Sequence, residues 1–296
     1  MKKHLFIIFC GLFVSQISQA RLHIFACEPE WAALSQALGG DLIEAVSATK
    51  STQDPHHIQA RPSLIAKIRR ANLLICSGAD LEVGWLPVLL RKSGNSNIQA
   101  GQKGYFMATQ MVKLLDKPTL IDRTMGDVHA AGNPHIQLDP RRIKIVAKKL
   151  SLRLQTLDPE NTVLYQQHWH DFKSSWHKAT KKWQVKMRGL RGKNIIVQHN
   201  SWIYLQQWLK LNKVAELEPK SGVPPTSSHL SALLRQMKKA PADFIIYSTY
   251  QNPKAAHWLA NKTAIPALAL PATVTQGQTL FAWMDHLTDL LKAQIK

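Results

Sequence analysis

Residues 160–190 read ENTVLYQQHWHDFKSSWHKATKKWQVKMRGL, with no Gly or Pro before Gly189, directly after Asp158-Pro159. A helix of that length extends on the order of 45 Å at ~1.5 Å per residue, enough to cross an entire molecule. The expectation is a backbone helix over 159–190 that joins two lobes, one formed by residues 21–158 and the other by 191–296.

On the N-terminal side of this helix, LHIFACE (22–28), LIEAVSA (42–48) and NLLICSG (72–78) are short apolar runs that read as strands. WAALSQALGGD, LIAKIRRA and WLPVLLRK carry helical spacing between and after them, with Gly39-Gly40 as a helix stop. RRIKIVAKKLSLRL continues the helical pattern after Pro140. On the C-terminal side, NIIVQHN, VAELEPK, DFIIYS and ALALP read as strands, and WIYLQQWLKL, SHLSALLRQMKKA, PKAAHWLANKT and a terminal segment read as helices. This βα alternation predicts two Rossmann-like α/β lobes, each a parallel sheet flanked by helices. Ligands of such sheets sit outside the carboxyl ends of the strands, so the cleft between the lobes is the expected site.

The first twenty residues, MKKHLFIIFCGLFVSQISQA, have a basic start, an apolar run from Leu5 to Val14, and small residues Ser18 and Ala20 around Gln19. That is the pattern of a secretory signal cleaved after Ala20, and it predicts a periplasmic mature protein. Export changes the reading of the charge. The formal net charge of +19 would invite nucleic acid as a partner in a cytosolic chain. In an exported one, with basic residues dispersed as in KKLSLRL and KATKKW, they read as solvated helix faces, and no nucleic-acid binding is expected. Of three cysteines, Cys10 falls in the leader. Cys27 and Cys76 end neighbouring strands in an oxidising compartment, as a disulfide or as two buried thiols.

Among 13 histidines, His168, His170 and His177 fall on the long helix and read as surface residues, and His229, His257 and His286 read as surface or cap residues. His56, His135 and His199 differ, because each lies where a segment runs out toward the cleft: after Asp54-Pro55, after Asn133-Pro134, and after the strand IIVQ. Neutral imidazole suits zinc, and three rings from separate rigid segments make most of a tetrahedral site.

In this order and at these separations, DPHHIQARPSLIAKIRRANLLICSGADLE, NPHIQLDP and VQHNSWIYL resemble the metal-binding receptors of bacterial ABC importers for zinc and manganese, the cluster A-I receptors, and the similarity spans essentially the whole mature chain. The resemblance implies a two-lobed periplasmic receptor, not an enzyme, that binds one metal between its lobes and delivers it to a membrane permease. It carries the metal ligands onto His56, His135 and His199. Manganese-binding relatives tend to carry glutamate at the third position, so His199 favours Zn2+ over Mn2+ as cargo. Many members supply a carboxylate as fourth ligand from near the last strand, but ALALPATVTQGQT has no Asp or Glu. Water is the first choice for the fourth position, with His129 and Glu218 as the other candidates. His129 is also a candidate auxiliary metal contact, in a loop that carries Asp122 and Asp127. Asp139 is expected to cap the helix after it, His57 to stay at the surface or behind the ligands, and Glu28 and Glu30 to support them from the end of the first strand. Expected partners are the ABC permease and, as a second candidate, a periplasmic metallochaperone; a monomer is expected. The alternative is an exported zinc hydrolase, because three histidines and a water also describe catalytic zinc. That reading needs a general base beside the water, and no H-E-x-x-H motif occurs.

Overall fold

In the first lobe, β1 (Leu22–Ala26), β2 (Ile43–Ser47), β3 (Leu73–Cys76) and β4 (Tyr105–Met107) form one parallel sheet in the order β2-β1-β3-β4. In the second, β5 (Asn194–Val197), β6 (Asn212–Glu216), β7 (Phe244–Ser248) and β8 (Ala267–Leu270) repeat that order as β6-β5-β7-β8. These positions belong to a computed structural model that describes residues 21–120 and 126–295. The expected leader and Asp122 lie outside the described residues.

Strands such as β3 (LLIC) and β7 (FIIYS) are buried along their whole length, as expected of parallel strands covered by helices on both faces. Those helices are α1 (Pro29–Gly39), α2 (Pro62–Arg69), α3 (Leu86–Ser93) and α4 (Pro140–Leu157) in the first lobe. The second has α6 (Ile203–Leu209), α7 (Ser227–Lys239), α8 (Lys254–Thr263) and α9 (Leu280–Lys292). The three-residue β4 has no counterpart in the sequence expectation, because YFM is too short to show a period. Each sheet reverses direction of winding next to its first strand, which opens a crevice at the carboxyl ends of β1 and β5.

The long segment folds as α5 (Thr162–Lys186), followed by a 3₁₀ turn over Arg188–Leu190. Its buried side chains fasten both lobes: Trp176 Nε1 donates to Pro140 O at the start of α4 (2.8 Å), and Trp183 Nε1 donates to Asp285 Oδ1 on α9 (2.8 Å). Around these rings, Leu34 and Leu38 of the first lobe and Trp283 and Leu287 of the second belong to one continuous apolar core. The lobes therefore share a core, which opposes free hinge motion between them. His168 departs from the surface reading: it is half-buried, and its Nδ1 meets Leu38 O at the end of α1 (3.1 Å).

Pairing of Ala26 with Ile75 across β1 and β3 brings the next residues of both strands together. Cys27 and Cys76 form a disulfide there, with Cα atoms 4.8 Å apart.

Candidate metal centre

Three segments end at the inter-lobe crevice, and together they deliver four imidazoles. His56 lies in the loop after β2, His129 and His135 in the segment before α4, and His199 two residues after the end of β5. His56, His129 and His135 bring one ring nitrogen each within 4.8 Å of one another. The Nε2 atoms of His56 and His129 are 3.4 Å apart. Four ligands at ~2.05 Å from a tetrahedral zinc stand roughly 3.4 Å from each other, so this pair already has the spacing of one tetrahedral edge. The His199 ring closes the group from the other lobe, with its centroid 5.6 Å from that of His56 and 6.1 Å from that of His135.

Local chemistry fixes which nitrogen each ring offers. Asp54 Oδ1 accepts from the backbone N–H of His56 (3.0 Å), an Asx turn, and also from His56 Nδ1 (2.7 Å). Glu218 Oε2 accepts from His199 Nδ1 (2.8 Å) and from Gly222 N–H (2.7 Å). A carboxylate on Nδ1 sets the tautomer and leaves the Nε2 lone pair for an ion. Glu218, a candidate fourth ligand from the sequence, thus sits behind His199, while His129 stands beside His56. His135 Nε2 and His129 Nδ1 are buried with no hydrogen-bond partner.

Asn133 ties the imidazole-bearing segments of the two lobes together. Its Oδ1 accepts from His135 N–H (3.1 Å), its Nδ2 donates to Asn200 O beside His199 (2.7 Å), and its own carbonyl accepts from Tyr204 O–H (2.6 Å). Asp139 caps α4 by accepting from Arg141 N–H (2.9 Å) and pairs with Arg142, whose guanidinium lies over the Tyr204 ring at 4.6 Å.

The electrostatics keep the donors ready for a cation. Burial, reinforced by the charges of His56 and His199, lowers the pKa of His129 to about 4 and holds that of His135 well below the usual value. Burial also works against protonation of His199, but the hydrogen bond and charge of Glu218 outweigh it and raise its pKa. Asp54 is opposed by burial too, yet its hydrogen bond from His56 leaves it below the ordinary aspartate range. A cavity of ≈ 590 Å³ bordered by Asp54, Asp127 and Glu218 abuts His56 and His199, so carboxylates line the approach to the rings.

The remaining sequence candidates fall outside the cluster. His57 is exposed and its Nε2 is 4.0 Å from Asp127 Oδ2. Glu30 crosses to the other lobe to accept from Thr273 O–H, and Glu28 accepts from Ser77 N–H (3.2 Å) and Ser77 O–H (3.1 Å). Asp54, Asn133 and Tyr204 were not singled out from sequence; for Asp54 the signal was present, since Asp-Pro-His places a side-chain acceptor two residues before the imidazole.

Two α/β lobes on a shared helix, with imidazoles of both meeting at the strand ends, define a metal-binding receptor of the substrate-capturing type. The chain belongs to the family of zinc-uptake complex component A, periplasmic (ZnuA), whose model matches residues 24–294. It is 21% identical over 267 residues to the metal ABC transporter substrate-binding lipoprotein SloC of Streptococcus mutans, covering 88% of this chain and 84% of that protein. It is 23% identical to the manganese ABC transporter substrate-binding lipoprotein PsaA of Streptococcus pneumoniae, covering 81% of this chain and 76% of that one. With the high-affinity zinc uptake system protein ZnuA of Bacillus subtilis it shares 22% identity over 72% of this chain and 66% of that protein. A crystal structure of ZnuA superimposes with a TM-score of 0.78 at 19% identity, over 94% of this chain and 100% of the other. A zinc-bound deletion mutant of ZnuA superimposes with a TM-score of 0.76 at 21% identity, over 93% and 96%.

Proposed function

We propose that this protein is an exported, periplasmic receptor that captures Zn2+ with His56, His129, His135 and His199 and delivers it to the permease of an ABC importer. The observation that carries this reading is the convergence of four imidazoles, three from the first lobe and one from the second. An all-nitrogen set of four suits tetrahedral zinc, whereas manganese favours oxygen donors and higher coordination. The relatives named for manganese make Mn2+ the competitor to test. A closed four-ligand set also argues against a hydrolase, since catalytic zinc keeps a position open for water or substrate.

In this reading the ion is cargo. It crosses the acid-lined cavity, loses its water to the four rings, and cross-links the lobes through His199. Asp54 and Glu218 hold two of the rings in the metal-accepting tautomer throughout. Cleavage of the leader after Ala20, a monomeric mature chain and hand-over from a metallochaperone belong to the same proposal. The test is calorimetry on the mature chain with Zn2+ and Mn2+, together with elemental analysis of protein purified without added metal. One tightly bound zinc per chain is expected; preferential loading with manganese, or no tight binding of either ion, refutes the assignment.

A further inference from the structure

Two of the four rings have a carboxylate directly on Nδ1, but His135 has none. Only one of its nitrogens can bind an ion, and the other needs a hydrogen-bond partner to fix the ring. Its Nε2 is buried with no hydrogen-bond partner among the described residues. Beside His135 lies a cavity of ≈ 20 Å³, lined also by Glu28, Glu30, Gln137 and Thr273. One water needs about 10–15 Å³ of such space. Glu28 Oε1 and Gln137 Oε1 are both buried and without a hydrogen-bond partner, and both residues line this cavity.

We propose that the cavity is a built site for one ordered water, which links the free ring nitrogen of His135 to Glu28 and Gln137 and makes Glu28 a positioning residue for the metal. A single water satisfies all three groups: it donates to Glu28 Oε1 and Gln137 Oε1 and accepts from the His135 N–H. Three bonds is the usual number for a buried water. A cation fits less well, because a neutral ring bound to metal on one side presents an N–H, not a lone pair, on the other. Glu28 is itself immobilised for this role. Its Oε2 is held by Ser77 N–H and Ser77 O–H, and the Cys27–Cys76 disulfide joins the residues next to both. Gln137 is held from the opposite side, where its Nε2 donates to Ala272 O of the second lobe (3.3 Å). His135 is then supported by a carboxyl oxygen, as His56 and His199 are, but through one water.

The inference rests on the four-histidine site, and its test separates the two. Glu28→Leu is close in volume and removes the oxygen that accepts from the water, while leaving all four histidines in place. Zinc affinity, measured by chelator competition at fixed pH, should fall about tenfold. The visible bands of the Co2+-loaded variant should shift from those of the parent, which a purely structural role would not cause. A folded Glu28→Leu with parental zinc affinity and parental cobalt bands overturns the proposal while leaving the metal site standing. A parent that binds no zinc overturns both. Should the variant not fold, a crystal structure of the zinc-loaded parent decides: a water within hydrogen-bond distance of His135, Glu28 and Gln137 supports the relay, and a cavity without one refutes it.

Discussion

His129 is the residue on which the ligand count turns. If it binds the ion, His129→Ala should lower zinc affinity by at least about a hundredfold, comparable to His56→Ala, His135→Ala or His199→Ala. If a water holds the fourth position instead, the His129 variant should stay within a few-fold of the parent while the other three collapse; chelator competition distinguishes the outcomes. Asp54→Asn and Glu218→Gln leave the ligands in place but remove the acceptor on Nδ1, so each should cost ~10–100-fold in affinity. The sequence exposed His56, His135 and His199 because each follows an apolar strand or a Pro turn at the cleft. It exposed His129 only weakly, since its approach to His56 depends on the path of a loop that no local period describes. The pairing of His199 with Glu218 was equally hidden: residue type alone does not tell a carboxylate that faces the cluster from one that hydrogen-bonds a ring from behind.

At the scale of elements, α5 and the Cys27–Cys76 bridge carry different loads. The helix was legible because a run free of Gly and Pro bounded by Asp158-Pro159 has few other solutions, and six of the seven longer strands were legible as apolar runs; β6 starts at Asn212, two residues before VAELEPK, because its first residues are exposed and polar. β4 was not, because an edge strand of three residues is placed by its neighbour β3 and not by its own pattern. The tryptophans of α5 are structural: Trp176 is fully buried and stacks near Phe172, with ring centroids 5.3 Å apart. Trp176→Ala should destabilise by about 3–5 kcal/mol in urea unfolding. Because the core is shared, the two lobes should be lost in one transition. A two-step curve with only one lobe affected would contradict that. The disulfide closes a sequence separation of 49 residues, for which the loss on Cys27→Ser/Cys76→Ser is about 2–4 kcal/mol. Denaturation of the parent with and without reductant should reproduce the same difference, whereas equal midpoints would show that the bridge adds nothing.

The whole molecule combines two groups of buried titratable residues with opposite responses to pH. Burial, together with the charges of Glu82 and Glu30, pushes Glu28 well above the ordinary range, and burial brings Glu30 and Glu82 up to about 7. Raised folded-state values mean that the native state holds these protons more tightly than the unfolded chain. Their contribution to stability is present below about 4.5 and disappears as pH rises through about 7. His129, lowered to about 4, and His135, lowered further, behave oppositely. Their contribution is present above the unfolded histidine value of ~6.5 and is lost on acidification toward about 4. Between these limits the two sets oppose each other, so the metal-free protein should melt at nearly constant temperature from about pH 5 to 6.5 and less stably above 7. Zinc breaks the balance, since each ligating imidazole must be unprotonated to bind it and protons compete for the same nitrogens. The gain in melting temperature on adding zinc should therefore be large at pH 7.5 and shrink steeply below about 6.5, with release complete before the fold is lost. Thermal scans of metal-free and zinc-loaded protein across pH 4.5–8 measure both curves. A zinc-dependent gain that stays constant through that range would mean that the ion is not held by histidines.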